Sequence, residues 1–397
     1  MPKVLFITAW YPNPASPLAG VFVREQAKLI RQYGEVAVLH WIGPDPNIKA
    51  PWHISRESDD HFTHGIATYR VSYQPSSIPG FAFASKCAAL FRAYGEIKAN
   101  VFRPDIIHAH IYYAGLAALL VGKVTRTPVV ISEHSSVFTR NDLKKGDLMR
   151  ARVAFRWADA VLPVSKTLQT SIQSCGIKGR FHVLPNVVDT SVFYWCRSTS
   201  KVDCKRVLLV CALDNSDKKG VSHLLEALSE LRGRREDWHL DIVGDGPGRR
   251  RYETLAEDLH LADKVAFHGS RPHREVAEFM RRADILTVPS RFETFSVVSA
   301  EALACGKPVL ATRCGGPEEF IDKHTGLLVP PADSKALCDG LDYLFDHLDE
   351  FRPEVISQCA TDRFGPEQIG TQLQAIYRAN IRRGGDDGST TEATRRQ

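Results

Sequence analysis

Two glutamates in one segment suggest chemistry. Glu293 and Glu301 stand with seven residues between them inside PSRFETFSVVSAEALACGKPV, residues 289–309. The segment reads as a buried strand ending at Pro289, a short loop carrying Glu293, and a helix from near Phe295 to a stop at Gly306. A helix entered directly from a strand points the unpaired N–H groups of Phe295, Ser296 and Val297 outward. They carry the positive end of the helix dipole, a cradle suited to phosphate. One carboxylate would then reach a sugar beyond the phosphates and the other would accept from ribose hydroxyls. Taken alone, the pair is better explained as a helix N-terminal charge and a surface acid.

These residues need a scaffold, and the rest of the chain supplies one. Short apolar runs alternate with helical stretches from end to end: Lys3–Thr8, Glu35–Trp41, Asp105–His108, Pro128–Ser132 and Ala160–Val164 as strands, with an amphipathic helix over Gly20–Tyr33. Continuous apolar strands separated by helices are buried on both faces, which predicts α/β architecture with doubly wound parallel sheets. After a polar, basic and aperiodic stretch the pattern restarts: Arg206–Leu213, His239–Val243, Lys264–His268, Ile285–Pro289, Pro308–Thr312 and Gly326–Val329. Two Rossmann-like domains follow, at 1–195 and 206–364, joined by a linker at 196–205. A helix over 365–383 is expected to pack back on the first domain, with a disordered tail over 384–397. In such folds ligands bind at the carboxyl ends of strands, so the chemistry belongs in loops leaving strands.

Composition excludes several classes. The chain has 397 residues, 44% hydrophobic, with 51 Lys and Arg against 46 Asp and Glu and a formal charge of +5. That excess is too mild for a dedicated nucleic-acid binder, and the basic runs at 232–235 and 249–251 lack interleaved aromatic residues. The nine cysteines are scattered singly, which argues against a disulfide framework or a zinc site and for the cytoplasm. No Asp-x-Asp pair precedes the glutamate segment, so no metal is expected. The opening VLFITAW runs into Tyr11-Pro12-Asn13-Pro14 without a cleavage site and reads as a strand rather than a signal peptide. The GDGPG at 244–248 follows a strand, but the third glycine of a dinucleotide fingerprint falls at Arg249, so NAD is not expected. The stretch from Phe83 to Ile97 has helical spacing. It is read first as core-facing and second as a peripheral membrane contact.

The glutamate segment, continued as PSRFETFSVVSAEALACGKPVLATRCGGPEE, closely resembles the signature of the family-4 retaining glycosyltransferases of GT-B fold. The opening FITAWYPNPASPLAGVFVREQAKLI, then DIIHAHIYYAG, VVISEHSS, ADAVLPVSKTL, VLPNVVDTSVF, KKGVSHLLEAL and LDIVGDGP, follow in that family's order. The resemblance covers Lys3 to about Arg382. It implies two Rossmann-like domains facing across a cleft. The activity would be transfer of a hexose from a nucleotide diphosphate sugar, with UDP or GDP as carrier. The acceptor would be a sugar, a lipid-linked or a small-molecule hydroxyl, and no cofactor is needed.

The resemblance also assigns roles. Glu293 contacts the transferred sugar, Glu301 the ribose, and the 295–297 amides the diphosphate. Lys219 neutralises the leaving diphosphate, with Lys218 as competitor and Arg291 as helper. Gly20 lets backbone approach the phosphates, His110 sits over the reacting carbon, and His134 lies on the acceptor side. Residues 244–248 form a loop beside the nucleotide. In plainer readings Lys219 is a solvated helix-start lysine, Gly20 a turn glycine and His110 a satisfied core histidine. Two departures stand out: Ala212 where the family commonly has a diphosphate-clamping arginine, and Ser296 where glycine is frequent. The rival readings are an epimerase, hydrolase or phosphorylase on the same fold, and a scaffold that binds sugar nucleotide without turnover.

Overall fold

The computed structural model describes residues 1–57, 59–74, 81–140, 142–197 and 204–386. The chain divides into two α/β units, one of Met1–Val187 together with the chain from Ile369 onward, the other of Val188–Gln368. The first unit therefore ends earlier than the expected 195. Residues 188–197 pack with the second unit: Phe193 is buried edge-on against His273, and the Val192 carbonyl accepts from Arg281 at 3.0 Å. Residues 198–203 of the expected linker lie outside the described residues.

The first unit contains β1 (Lys3–Thr8), α1 (Val21–Arg31), β2 (Glu35–Pro44), β3 (Trp52–Arg56), α2 (Asp60–Thr63), β4 (Ala67–Tyr73) and α3 (Phe81–Asn100). It continues with β5 (Ile106–His110), α4 (Tyr112–Thr125), β6 (Val129–Glu133), α5 (Lys145–Trp157), β7 (Ala160–Pro163) and α6 (Lys166–Ser174). Its seven strands take the order β3-β4-β2-β1-β5-β6-β7, parallel except for the antiparallel edge strand β3. Strands β3 and β4 are not among the strands expected from the apolar runs. The run ATYRVSY hid a strand because Arg70 is buried in it, held by Glu57 at 2.6 Å, the His40 ring at 2.7 Å and the Pro12 carbonyl at 2.9 Å. Helix α3 buries Leu90, Tyr94 and Ile97, the core-facing reading of that stretch.

The second unit contains β8 (Lys205–Val210), α7 (Val221–Arg232), β9 (Trp238–Val243), α8 (Arg249–Asp258), β10 (Val265–Gly269), α9 (His273–Arg282), β11 (Ile285–Val288) and α10 (Val297–Ala304). Then come β12 (Val309–Thr312), β13 (Gly326–Val329), α11 (Ser334–Asp346) and α12 (Pro353–Phe364). Its six strands run parallel in the order β10-β9-β8-β11-β12-β13. Apolar side chains from β8, β9, α7 and α11 make its core around fully buried Trp238.

Helix α13 (Pro366–Asp386) begins in the second unit and passes to the first, where Ile369, Leu373 and Tyr377, four residues apart, join the core of β1, β2 and α1. It runs to Asp386, so residues 384–386 of the expected tail are helical. Residues 387–397 lie outside the described residues. No described helix is long and apolar enough to cross a membrane.

Helices α1 and α7 are entered the same way. Gly20 and Gly220 precede them at φ 66° and 68°, in the left-handed region where glycine pays no Cβ penalty. A Cβ at Gly20 would lie 2.1 Å from the Trp10 carbonyl oxygen, and one at Gly220 1.9 Å from that of Pro289. Each glycine thus lets two backbone segments touch. Gly220→Ala is expected to cost about 2–3 kcal/mol, from left-handed strain plus the collision. Denaturant unfolding at neutral pH would read this, and a loss below about 0.5 kcal/mol would contradict it.

Candidate functional site

In the second unit, contact between the turn into α7 and the exit of β11 assembles a charged pair. The Arg291 N–H donates to the Lys218 carbonyl at 2.8 Å, and one residue further along the turn the Lys219 Nζ donates to Glu293 Oε1 at 2.7 Å. The Ser290 hydroxyl donates to the same oxygen at 2.8 Å. The loop is also clamped by its backbone: the Glu293 N–H donates to the Cys314 carbonyl, and its own carbonyl accepts from Gly316, both at 2.8 Å. Burial opposes the charge of Lys219, but the Glu293 carboxylate and its hydrogen bond outweigh that effect and hold the ammonium above the usual lysine range. Burial pushes the neighbouring thiols of Cys211 and Cys314 up to about 12, so both stay neutral and are poor nucleophiles.

The fold separates the two competing lysines. Lys218 turns outward to Asp214 at 2.8 Å, leaving Lys219 as the cation on Glu293. Arg291 is exposed, with its guanidinium 3.2 Å from the His223 ring. Ala212 is exposed just past β8 and brings no charge. The 244–248 loop lies against the chain leaving β8. A Cβ at Gly244 would sit 1.8 Å from the Cys211 carbonyl oxygen, so these glycines serve backbone packing.

Helix α10 starts at Val297, two residues later than the expected Phe295. Ser296 stands before it at φ 73° and ψ 78°, a conformation outside the helix. This explains why glycine suits the position. The hydroxyls of Ser296 and Ser299 hydrogen-bond at 2.7 Å. Among the described residues no protein group accepts from the amides of Phe295, Ser296 or Val297. The Phe295 ring packs on Phe320 and Phe364. Glu301 is buried in the second turn of α10.

In the first unit a polar cluster sits at the carboxyl ends of β5 and β6. His108 and His110 share one face of β5, stacked with ring centres 4.6 Å apart beside Phe6. His108 bonds the Tyr377 hydroxyl of α13 at 2.7 Å and the Ser132 hydroxyl at 2.8 Å. His110 Nδ1 lies 3.2 Å from His134 Nε2, and His110 Nε2 is buried without a partner. The backbone at Ile111 has φ 67° and ψ 149°, a region normally left to glycine. Glu133, fully buried, accepts from the amides of Tyr112, His134 and Ser135 at 2.7–2.9 Å, tying the start of α4 to the His134 turn. Glu133, His108, Ser132 and Tyr377 have no assigned role in the sequence analysis. Strands β5 and β6 pair His110 with Ser132, which sets that hydroxyl beside the histidines.

Among the described residues one group of metal-type side chains gathers, Glu230, Cys338 and Asp339. Arg234 already bridges its two carboxylates, at 2.5 and 2.8 Å, so the group is answered within the protein.

Burial drives the first-unit histidines neutral: His108 and His134 fall to about 3 and His110 well below the ordinary value. Each takes up a proton on unfolding below about pH 6.5, so their contribution to stability is lost as pH falls from there toward 3. Glu133 acts oppositely. Burial raises it to about 7, so stability from this group grows as pH falls from 7 to about 4.5. Three histidines outweigh one carboxyl, and stability is expected to drop between pH 6.5 and 5. His134→Gln should flatten that slope by about 1.4 kcal/mol per pH unit. Urea midpoints at pH 6.5 and 5.0 for both proteins check it, and parallel slopes would refute it.

Comparison with known proteins agrees with this architecture. The family model for glycosyl transferases group 1 matches residues 198–356, and that for glycosyltransferase family 4 matches residues 12–192. A candidate teichuronic acid biosynthesis glycosyltransferase of Bacillus subtilis, TuaC, is 29% identical over 374 residues, covering 89% of this chain and 91% of that protein. Sucrose-phosphate synthase of Thermosynechococcus elongatus superposes with a TM-score of 0.76 at 22% identity, over 95% of this chain and 98% of that one. The Anabaena protein HepE, solved with UDP-glucose, superposes with a TM-score of 0.73 at 20% identity, over 96% of this chain and 100% of that one. With both of its units matched by family models and nearly the whole chain superposing on those structures, the chain belongs to the family-4, group 1 glycosyltransferases and has the GT-B fold.

Proposed function

We propose that this glycosyltransferase moves a hexose from a nucleotide diphosphate sugar to an acceptor hydroxyl with retention of anomeric configuration. It would act in the cytoplasm in the synthesis of a polysaccharide, glycolipid or glycosylated metabolite. The observation that carries this reading is the Lys219–Glu293 pair in the same unit as the unpaired amides at the start of α10. A held cation and a helix N-terminus supply what a departing diphosphate needs, a stabilised negative charge. In this reading they do so without a metal. The name of the Bacillus relative supports a polymer product, and the UDP-glucose bound to the Anabaena protein supports a nucleotide sugar donor.

In the proposed reaction the bond from the anomeric carbon to the diphosphate oxygen breaks, and its electron pair stays on that oxygen. The acceptor oxygen bonds the same carbon from the same face, and the acceptor proton passes to the departing oxygen. Lys219 and the 295–297 amides stabilise the leaving group, and Glu301 binds the ribose. Glu293 binds hydroxyls of the sugar and fixes Lys219. His110 is neutral, so it serves as a hydrogen-bonding group through Nε2 and not as an acid. Gly20, Arg291 and His134 stay on the donor and acceptor sides as their positions in the family's motifs imply. Ala212 favours a second reading, a binding scaffold without turnover, because a bidentate phosphate contact is absent there.

Nucleotide release from UDP-, GDP-, ADP- and TDP-sugars, with and without EDTA, tests the proposal. One donor should be consumed, EDTA should change nothing, and Glu293→Ala or Lys219→Ala should cut turnover by about 100-fold or more. NMR of the product should show the donor's anomeric configuration. Donor binding without turnover on any acceptor would make the scaffold the better reading, and loss of activity with EDTA would overturn the metal-free step.

A further inference from the structure

The sheet edge that carries His110 also carries an aromatic group with an unanswered cation. Trp41 lies at the end of β2, Tyr73 at the end of β4, and Tyr113 at the start of α4, just after β5. Trp41 is buried, and Tyr113 stacks on it with ring centres 5.4 Å apart and planes within 17°. Tyr73 stands 6.0 Å from Trp41. Lys86 of α3 brings its ammonium over both of the first two rings, 3.7 Å from the centre of Trp41 and 4.5 Å from that of Tyr113. The face of Tyr113 remains partly open, with the residue 38% exposed.

No carboxylate or hydrogen-bond acceptor meets the Lys86 ammonium among the described residues, and the preceding stretch 75–83, PSSIPGFAF, contains no acid. Burial pushes the Cys87 thiol beside it up, so that it stays neutral, and Arg150 is itself positive and already paired with Asp147 at 2.8 Å. Trp41 Nε1–H is a second buried donor without an acceptor. Burial lowers Lys86 to about 8, which still leaves it mostly charged at neutral pH. Trp41 Nε1 is closed off from a ligand, but a half-buried ammonium with no carboxylate partner attracts an anion more strongly than one in bulk water. The missing complement is negative, rich in oxygen acceptors, and has a face that packs on an aromatic ring.

We infer that Lys86, Trp41 and Tyr113 form an acceptor subsite for an anionic sugar, one carrying a carboxylate or a phosphate. The inference rests on the transferase reading only for the word acceptor; the binding preference stands or falls without turnover. Calorimetric titration of the full chain with D-glucuronate, D-glucose 6-phosphate and D-glucose tests it, and the first two arms separate carboxylate from phosphate. At least one anionic sugar should bind about 10-fold or more tightly than glucose. Lys86→Met should erase that preference at an unchanged melting temperature, and Lys86→Arg should keep it. Equal binding of all three, binding of none, or a preference that survives Lys86→Met would overturn the subsite. Anion preference without turnover of any donor would refute the transferase proposal and leave the subsite standing.

Discussion

The second unit depends on one contact between backbones. The turn into α7 lies so close to the exit of β11 that the Pro289 carbonyl occupies the place of a side chain at residue 220. Lys219 and Glu293, 74 residues apart in the chain, become hydrogen-bonded neighbours as a result. A larger residue at 220 would push the two loops apart, and a long flexible lysine would then find water more easily than the carboxylate. The clamp of residues 293 on 314–316 holds the other side, so both partners are fixed by backbone bonds rather than by their own attraction. An ion pair made this way keeps its partners in reach of each other without relying on their own attraction, unlike most exposed surface pairs.

The two units handle buried polarity in opposite ways. The second keeps a charged pair at the mouth of a helix dipole, suited to meeting a multiply charged group. The first keeps three stacked rings neutral and spends their hydrogen bonds on one another and on Ser132 and Tyr377. In a dry interior a neutral ring network costs far less than ions, and it fixes which ring atom stays available. Among the described residues His110 Nε2 is one ring atom left without a partner. Tyr377 makes the C-terminal helix part of this arrangement, because its hydroxyl hydrogen-bonds the ring of His108, on which His110 stacks.

Much of the fold was legible in the sequence because strands buried on both faces read as unbroken apolar runs. The strand pattern of β1, β5 and β8 through β13 needed little else. Strand β4 was not legible, since Arg70 looks exposed until Glu57, His40 and Pro12 are seen around it. The site was legible only in part. Glu293, Glu301 and the α10 amides share one segment, so local spacing brings them to notice. The choice of Lys219 over Lys218 was beyond spacing, because neighbouring residues on a turn point in different directions and only the partner loop decides between them. The bond from Tyr377 to His108 spans 269 residues and leaves no local trace.

Among the described residues seven that are not glycine take positive φ, and Ile111 and Ser296 are two that stand where a strand gives way to a helix near a candidate functional group. Ile111 follows His110, and Ser296 precedes α10. Each such residue costs on the order of 1–3 kcal/mol, so neighbours must over-determine it. At Ile111 the N–H is held by the Ser132 carbonyl at 2.7 Å, and Glu133 captures the next amide. At Ser296 the side chain bonds Ser299, while Gly316 lies so near Phe295 that a Cβ there would sit 2.4 Å from its Cα. Relaxing either turn would swing a polar group away from the edge it serves: the imidazole of His110 in one unit, the amides of 295–297 in the other. The strain is therefore best understood as the means by which rigid strands deliver backbone and side-chain donors in directions an ordinary turn would not give.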